Sequence, residues 1–170
     1  MPRESIARRV RRIHALEHAT IHILSARFPH RSFIGRSDRK GFVLIGEASP
    51  KDILDAANSA LHRLQRGEAS LAYHPNCGTN LAVTGAATGT AAFLTTLSFR
   101  ESGWRKRLEQ LPTVILTTTV ALILSRPLAA LAQRHLTTDP DPGNLSVVNV
   151  EPLSIRGATA HRVAILDQYE

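Results

Sequence analysis

The segment Ile13-His14-Ala15-Leu16-Glu17-His18-Ala19-Thr20 contains H-x-x-E-H, two imidazoles and a carboxylate at a spacing that suits a metal ion. Residues four apart on a helix lie one turn from each other on the same side, so His14 and His18 can reach one ion. The order matches that of inverted zinc hydrolases, in which the glutamate handles the proton of the water that the metal activates. Glu17 is therefore the candidate general base. A second cluster, His74-Pro75-Asn76-Cys77-Gly78-Thr79, brings two more ligand types onto a turn that proline and glycine make rigid. A catalytic zinc keeps three protein ligands and one open position, which His14, His18 and either His74 or Cys77 would satisfy. All four together would close the tetrahedron and make a structural site with no chemistry. A nucleophile pair of Cys77 and His74 is a weaker alternative, because proximity on a turn does not guarantee the required contact. His22 reads as a support for a ligand rather than as a ligand. His30, His62, His135 and His161 have no comparable partner in the sequence. No phosphate-binding loop and no dinucleotide fingerprint is present.

These side chains need elements to hold them. The spacing predicts a first helix from Glu4 to Arg27, with Ile6, Val10, Ile13, Ile21 and Leu24 on one arc. Glu17 falls in the middle of that apolar arc, where a carboxylate needs a donor, a cation or a raised pKa. A glutamate merely bonded to a backbone or arginine group is the plain alternative. Ser32 to Ile34 and Phe42 to Ile45 read as short strands around a turn at Ser37 to Gly41. Ser49 caps a second helix that begins at Pro50 and stops near Gly67, with Ile53, Leu54, Ala57, Leu61 and Leu64 inward. Ala69 to Tyr73 reads as a further strand that delivers His74 and Cys77. Leu145 to Val150 and His161 to Ile165 are predicted strands, with Gly157 serving the turn between them.

Cys77 to Phe99 is uncharged and long enough to span a bilayer, and Leu111 to Ser125 is a second apolar run that Leu128 to Ala132 can extend. Gly85 and Gly89 form a G-x-x-x-G, which permits close packing of helices in lipid and makes a homo-oligomer an expected partner arrangement. Between the runs lies a basic loop with Arg100, Arg105, Lys106 and Arg107 beside Trp104. The threonine-rich composition leaves a second reading open, two core helices of a soluble protein.

The chain has 170 residues and a formal charge of +7, with Arg3, Arg8, Arg9, Arg11 and Arg12 near its start. Such a run suits nucleic acid or anionic lipid, or is the solvated face of a helix. Few aromatics interleave with it, which disfavours single-strand stacking and makes nucleic acid an unexpected partner. Cys77 is the single cysteine, so no intrachain disulfide can form. The first residues hold no apolar stretch of signal-peptide length, so the expectation is a cytoplasmic N-terminal domain. The basic loop, taken alone, favours the opposite topology.

His14-Ala15-Leu16-Glu17-His18-Ala19-Thr20 followed by His74-Pro75-Asn76-Cys77-Gly78-Thr79 resembles an uncharacterised family of small bacterial membrane proteins. It is similar, more distantly, to a family described as metal-dependent membrane enzymes, which carries an H-G-A-E-H block and then H-P-R-C-G-T leading into an apolar helix. That resemblance covers about a fifth of the chain and places the motif on His14, Glu17, His18, His74 and Cys77. Ala15-Leu16 stand where the distant family has Gly-Ala, and Asn76 where it has arginine; neither change removes a potential ligand.

The expected fold class is α+β. A small helix and strand domain, residues 1–79, leads into a two-helix membrane hairpin, residues 80–135. A C-terminal β segment, residues 136–170, completes the soluble domain. The expected function is a membrane-associated hydrolase dependent on zinc or another divalent metal, with peptide as its candidate substrate. The alternative is a non-catalytic membrane protein with a structural zinc.

Overall fold

The structure is a computed structural model that describes residues 5–99, 103–155 and 157–167. Arg3, Glu4 and Arg100 of the sequence reading lie outside the described residues, as does the side chain of Arg107. The chain is α+β and divides into two compact units, Met1–His74 with Arg134–Glu170, and Pro75–Gln133. His74 belongs to the first unit and Cys77 to the second.

In the first unit, helix α1 (Ile6–Arg27) starts at Ser5, whose side chain accepts from the Arg8 amide. Strands β1 (Ile34–Asp38) and β2 (Gly41–Ile45) form a hairpin. Helix α2 (Pro50–Gln65) follows, with the Ser49 hydroxyl capping the Asp52 amide. Later, β3 (Leu145–Ile155) and β4 (Ala158–Asp167) complete an antiparallel sheet of order β1-β2-β4-β3. Phe42, Leu44, Val163 and Ile165 on the sheet bury themselves against Ile13, Leu16 and Leu24 of α1 and Ile53 and Leu64 of α2. That apolar burial is the main driving force for the unit.

Several elements differ from the sequence reading. The first strand runs on through Asp38, because the polar residues of Ile34–Asp38 suit an exposed edge. The turn shrinks to Arg39-Lys40, closed by a hydrogen bond from the Lys40 amide to Asp38 Oδ1 at 2.7 Å. Gly41 ends it at φ +140°, and a Cβ there would sit 2.0 Å from the Val163 carbonyl oxygen. Both C-terminal strands are also longer than expected. Pro152 suggests an interruption, yet β3 is an edge strand, where a missing N–H costs no ladder bond. Ala69 to Tyr73 is not a strand: Ala69–Ala72 form a single 3-10 turn. Its amides close short local bonds, Leu71 to Glu68 and Tyr73 to Ser70, while Leu71, Ala72 and Tyr73 pack on the core. Ile6, expected on the buried arc, is 60% exposed. The helix is instead buried on all sides from Ala15 to Ile21, which one apolar stripe does not anticipate.

The basic run of α1 clasps its own unit. Arg8 and Arg12 pair with Asp139 and Asp141 at 3.2 and 2.9 Å. Arg9 donates to the Arg39 carbonyl at 2.9 Å, and Arg11 to the Thr138 carbonyl at 3.2 Å. Arg8, Arg11 and Arg12 are thus tertiary anchors to the loop before β3, and Arg9 is one to the β1–β2 turn.

The second unit contains α3 (Gly78–Ser98) and α4 (Trp104–Ala132). Helix α4 continues through Pro127, which removes one main-chain donor without breaking the helix, and a wider π-helical turn, Gln133–Thr137, follows. Thr95 bonds Thr117 at 2.9 Å and Ser125 bonds Thr84 at 3.2 Å, so the two helices run antiparallel. Both helices are long and apolar enough to cross a membrane. Gly85 and Gly89 face open space, with nothing within 4 Å of a Cβ built on either.

Candidate metal centre

Helix α1 carries three imidazoles along one edge, and main-chain carbonyls fix each of them. His14 Nδ1 lies 2.9 Å from the Thr137 carbonyl oxygen. His18 Nδ1 lies 2.7 Å from that of Ala72, and His22 Nε2 lies 2.8 Å from that of Tyr73. A carbonyl only accepts, so the ring nitrogen facing it carries the proton. In the neutral ring the other nitrogen then holds the lone pair: Nε2 in His14 and His18, Nδ1 in His22. Ligating histidines characteristically use this arrangement, with one nitrogen anchored and the other presented to an ion. The 3-10 turn is what makes it possible. Its last carbonyl and the next, Ala72 and Tyr73, point at α1 instead of entering a sheet ladder.

The ring centroids of His14 and His18 are 4.3 Å apart, and their ligand nitrogens approach within 4.8 Å. His18 is buried and His14 half-buried. His74 lies 5.8 Å from His18 but 4.9 Å from His22, centroid to centroid. The first unit thus assembles four imidazoles in the order His14, His18, His74, His22. Cys77 stands at the N-cap of α3 in the second unit, three residues beyond His74.

Glu17 is 3% exposed and faces β1. The Ser37 hydroxyl donates to Glu17 Oε2 in a short hydrogen bond. Glu17 Oε1 lies over Gly35, where an added Cβ would approach it to 2.2 Å. Only a residue without a side chain lets the carboxylate settle onto the strand. Gly35 and Ser37 alternate onto one face of β1, opposite Leu44 and Phe42. The sequence reading ends the strand at Ile34 and places Ser37 in the turn, so neither residue is put on a strand face. His22, Gly35, Ser37 and the carbonyls of Ala72, Tyr73 and Thr137 are the parts of the centre that the motifs do not name. The carbonyls leave no mark on side-chain identity.

A model for a domain of unknown function, DUF6391, matches residues 9–150 and so spans both histidine blocks. The chain belongs to the DUF6391 family. An uncharacterized protein of Picosynechococcus sp. is 33% identical over 156 residues, covering 84% of this chain and 71% of that one. No solved structure matches the chain. The expected membership of an uncharacterised family therefore holds.

Proposed function

We propose that this DUF6391 protein is a metal-dependent hydrolase working at a membrane surface, with zinc as the ion and a peptide as the substrate class. The observation that carries the reading is the pair of carbonyl-anchored rings. His14 and His18 each give Nδ1–H to the main chain and keep Nε2 for an ion, as ligating histidines do. The third ligand would come from the H-x-x-C segment that follows, from His74 or Cys77. A zinc ion bound there would supply Lewis-acid activation of water at neutral pH. Glu17 would accept the water's proton and later return it to the leaving group. Ser37 would hold one oxygen of Glu17 and fix the direction of the other. The anchored rings would resist displacement during turnover, since each is tied to a separate carbonyl.

The membrane part of the proposal rests on α3 and α4, whose leucine, isoleucine and phenylalanine side chains are largely uncovered. The hairpin would lie in the bilayer, with the first unit on the cytoplasmic side.

One observation favours a second reading. The Ser37–Glu17 bond also pins α1 to β1, as a purely structural glutamate would. The ion would then be a structural zinc in a non-catalytic protein. Elemental analysis of the purified protein tests the shared premise. It should hold about one equivalent of zinc or a similar ion, and His14→Ala and His18→Ala should each lose most of it. Full metal content in the double variant would overturn both readings.

A further inference from the structure

We propose that His22 and His74 form a second position for a divalent transition-metal ion, beside the one assigned to His14 and His18. The inference adds to the proposed centre and rests on it only for the view that this histidine array handles metal. Two imidazoles on one tetrahedral ion, with metal–nitrogen bonds of about 2.0–2.1 Å, place their ring centroids roughly 5 Å apart. His22 and His74 stand at 4.9 Å, with their planes inclined by 59°. His74 and His18, at 5.8 Å, are farther apart than that geometry asks. His74 is thus nearer to His22 than to His18.

His22 also shares the preparation seen at the first position. Its Nε2–H is held by the Tyr73 carbonyl at 2.8 Å, which leaves Nδ1 as the nitrogen with the lone pair. The neighbouring carbonyl of Ala72 holds His18 in the same manner at 2.7 Å. Successive peptide units thus anchor one ring of each pair, and His74 follows directly after them in the chain. Imidazole donors select zinc, cobalt or nickel over magnesium or calcium, which prefer oxygen. With two protein ligands, water completes the coordination, so this position binds more weakly than the first and fills after it.

The test is a cobalt titration of the metal-stripped full chain in detergent, followed by calorimetry and visible absorption. The wild type should take up two equivalents in two steps. His22→Gln retains an N–H for the Tyr73 carbonyl and removes the ring, and it should take up only the tighter equivalent. His74→Ala should behave alike. His14→Ala should lose the tighter step and keep the weaker one. A single equivalent in the wild type, unchanged in His22→Gln and lost in His14→Ala, would overturn the second position and leave the first standing. Two undiminished steps in His22→Gln would overturn it as well. A wild type lacking the step sensitive to His14, yet retaining the step sensitive to His22, would remove the hydrolase centre and support the second position alone.

Discussion

At the scale of single residues, Glu17 decides between chemistry and architecture. Glu17→Gln keeps the shape of the side chain and can still accept the Ser37 hydroxyl, so the fold and metal content should change little. It can no longer take a proton, and hydrolysis of any substrate should fall by about two to four orders of magnitude, the range for losing an acid–base group. Unchanged turnover in that variant would leave only the structural reading. Gly35→Ala asks the same question from the strand. The new methyl meets Glu17 Oε1, and overpacking of this kind costs roughly 1–3 kcal/mol, measurable as a lower urea midpoint. An unaltered midpoint would mean that Glu17 does not rest on β1. What was legible at this scale was the set of candidate side chains. H-x-x-E-H named His14, Glu17 and His18, because helical spacing alone brings side chains together. The partners of those residues were not legible. Ser37 and Gly35 reach Glu17 only through the packing of a strand on a helix, and the anchoring carbonyls belong to no side chain. His22 reads in the sequence only as a support for a ligand, and its own anchor, the Tyr73 carbonyl, is not legible there.

Among the elements, the sheet brings ionisable groups together in ways that set its response to pH. Arg162 donates to both oxygens of Asp38, and the Lys40 amide adds to it, holding that carboxyl below its ordinary value of 3.8. The Gly143 amide and the nearby Arg12 do the same for Asp141. Because both folded values are depressed, the stability these groups lend is complete above the ordinary carboxyl range and is lost as pH falls through the folded values. Acid unfolding of the first unit should therefore steepen below about pH 4, and Asp38→Asn should flatten that limb. Equal slopes in the two proteins would show that the ion pairs are idle. His161 adds a second window. It sits on the core face of β4 opposite Leu44, is 3% exposed, and its Nδ1 has no hydrogen-bond partner among the described residues. Burial pushes its pKa below 6.5. The unfolded chain then binds the extra proton first, so stability should decline as pH falls below 6.5. His161→Leu should abolish that decline and be neutral or stabilising at neutral pH, since it removes a buried polar ring. A decline that persists in the variant would assign it to another group. The helices of this unit were readable from capping and periodicity, as Ser49 and Pro50 show. The strands were harder. Exposed polar residues in β1 and Pro152 in β3 resemble breaks, and only an edge position makes them acceptable.

For the whole molecule, the remaining question is what covers the second unit. Helix α3 has 21 residues, which at about 1.5 Å per residue gives roughly 31 Å, close to the thickness of a hydrocarbon core. Phe93, Leu97, Leu116 and Leu124 are each about 60% exposed, a pattern opposite to that of helices in a soluble core. Threonine content, the feature that argued for a soluble pair, loses its force once the hydroxyls are traced. Thr88, Thr118 and Thr119 each donate to a carbonyl of their own helix, one turn back, and Thr95 and Thr117 have such a carbonyl or each other as partner. A hydroxyl satisfied in this way adds no unpaired donor to a lipid environment, so these helices can enter a bilayer despite their moderate hydropathy. The protein should accordingly resist extraction with alkaline carbonate and require detergent. Leu116→Arg and Leu124→Arg offer a graded version. A charge near the middle of a span costs about 2.5–3.5 kcal/mol for insertion, so each variant should move partly, and the double variant largely, out of the membrane fraction. Trp104, the single tryptophan, provides an independent readout at the start of α4, where it is 68% exposed with Arg105 stacked 5.4 Å from its ring. Its emission should shift to the blue when vesicles are added, because an indole beside a cation settles at the headgroup level. Recovery of the wild type as a dispersed monomer without detergent, with emission unmoved by vesicles, would mean that another protein surface covers these helices.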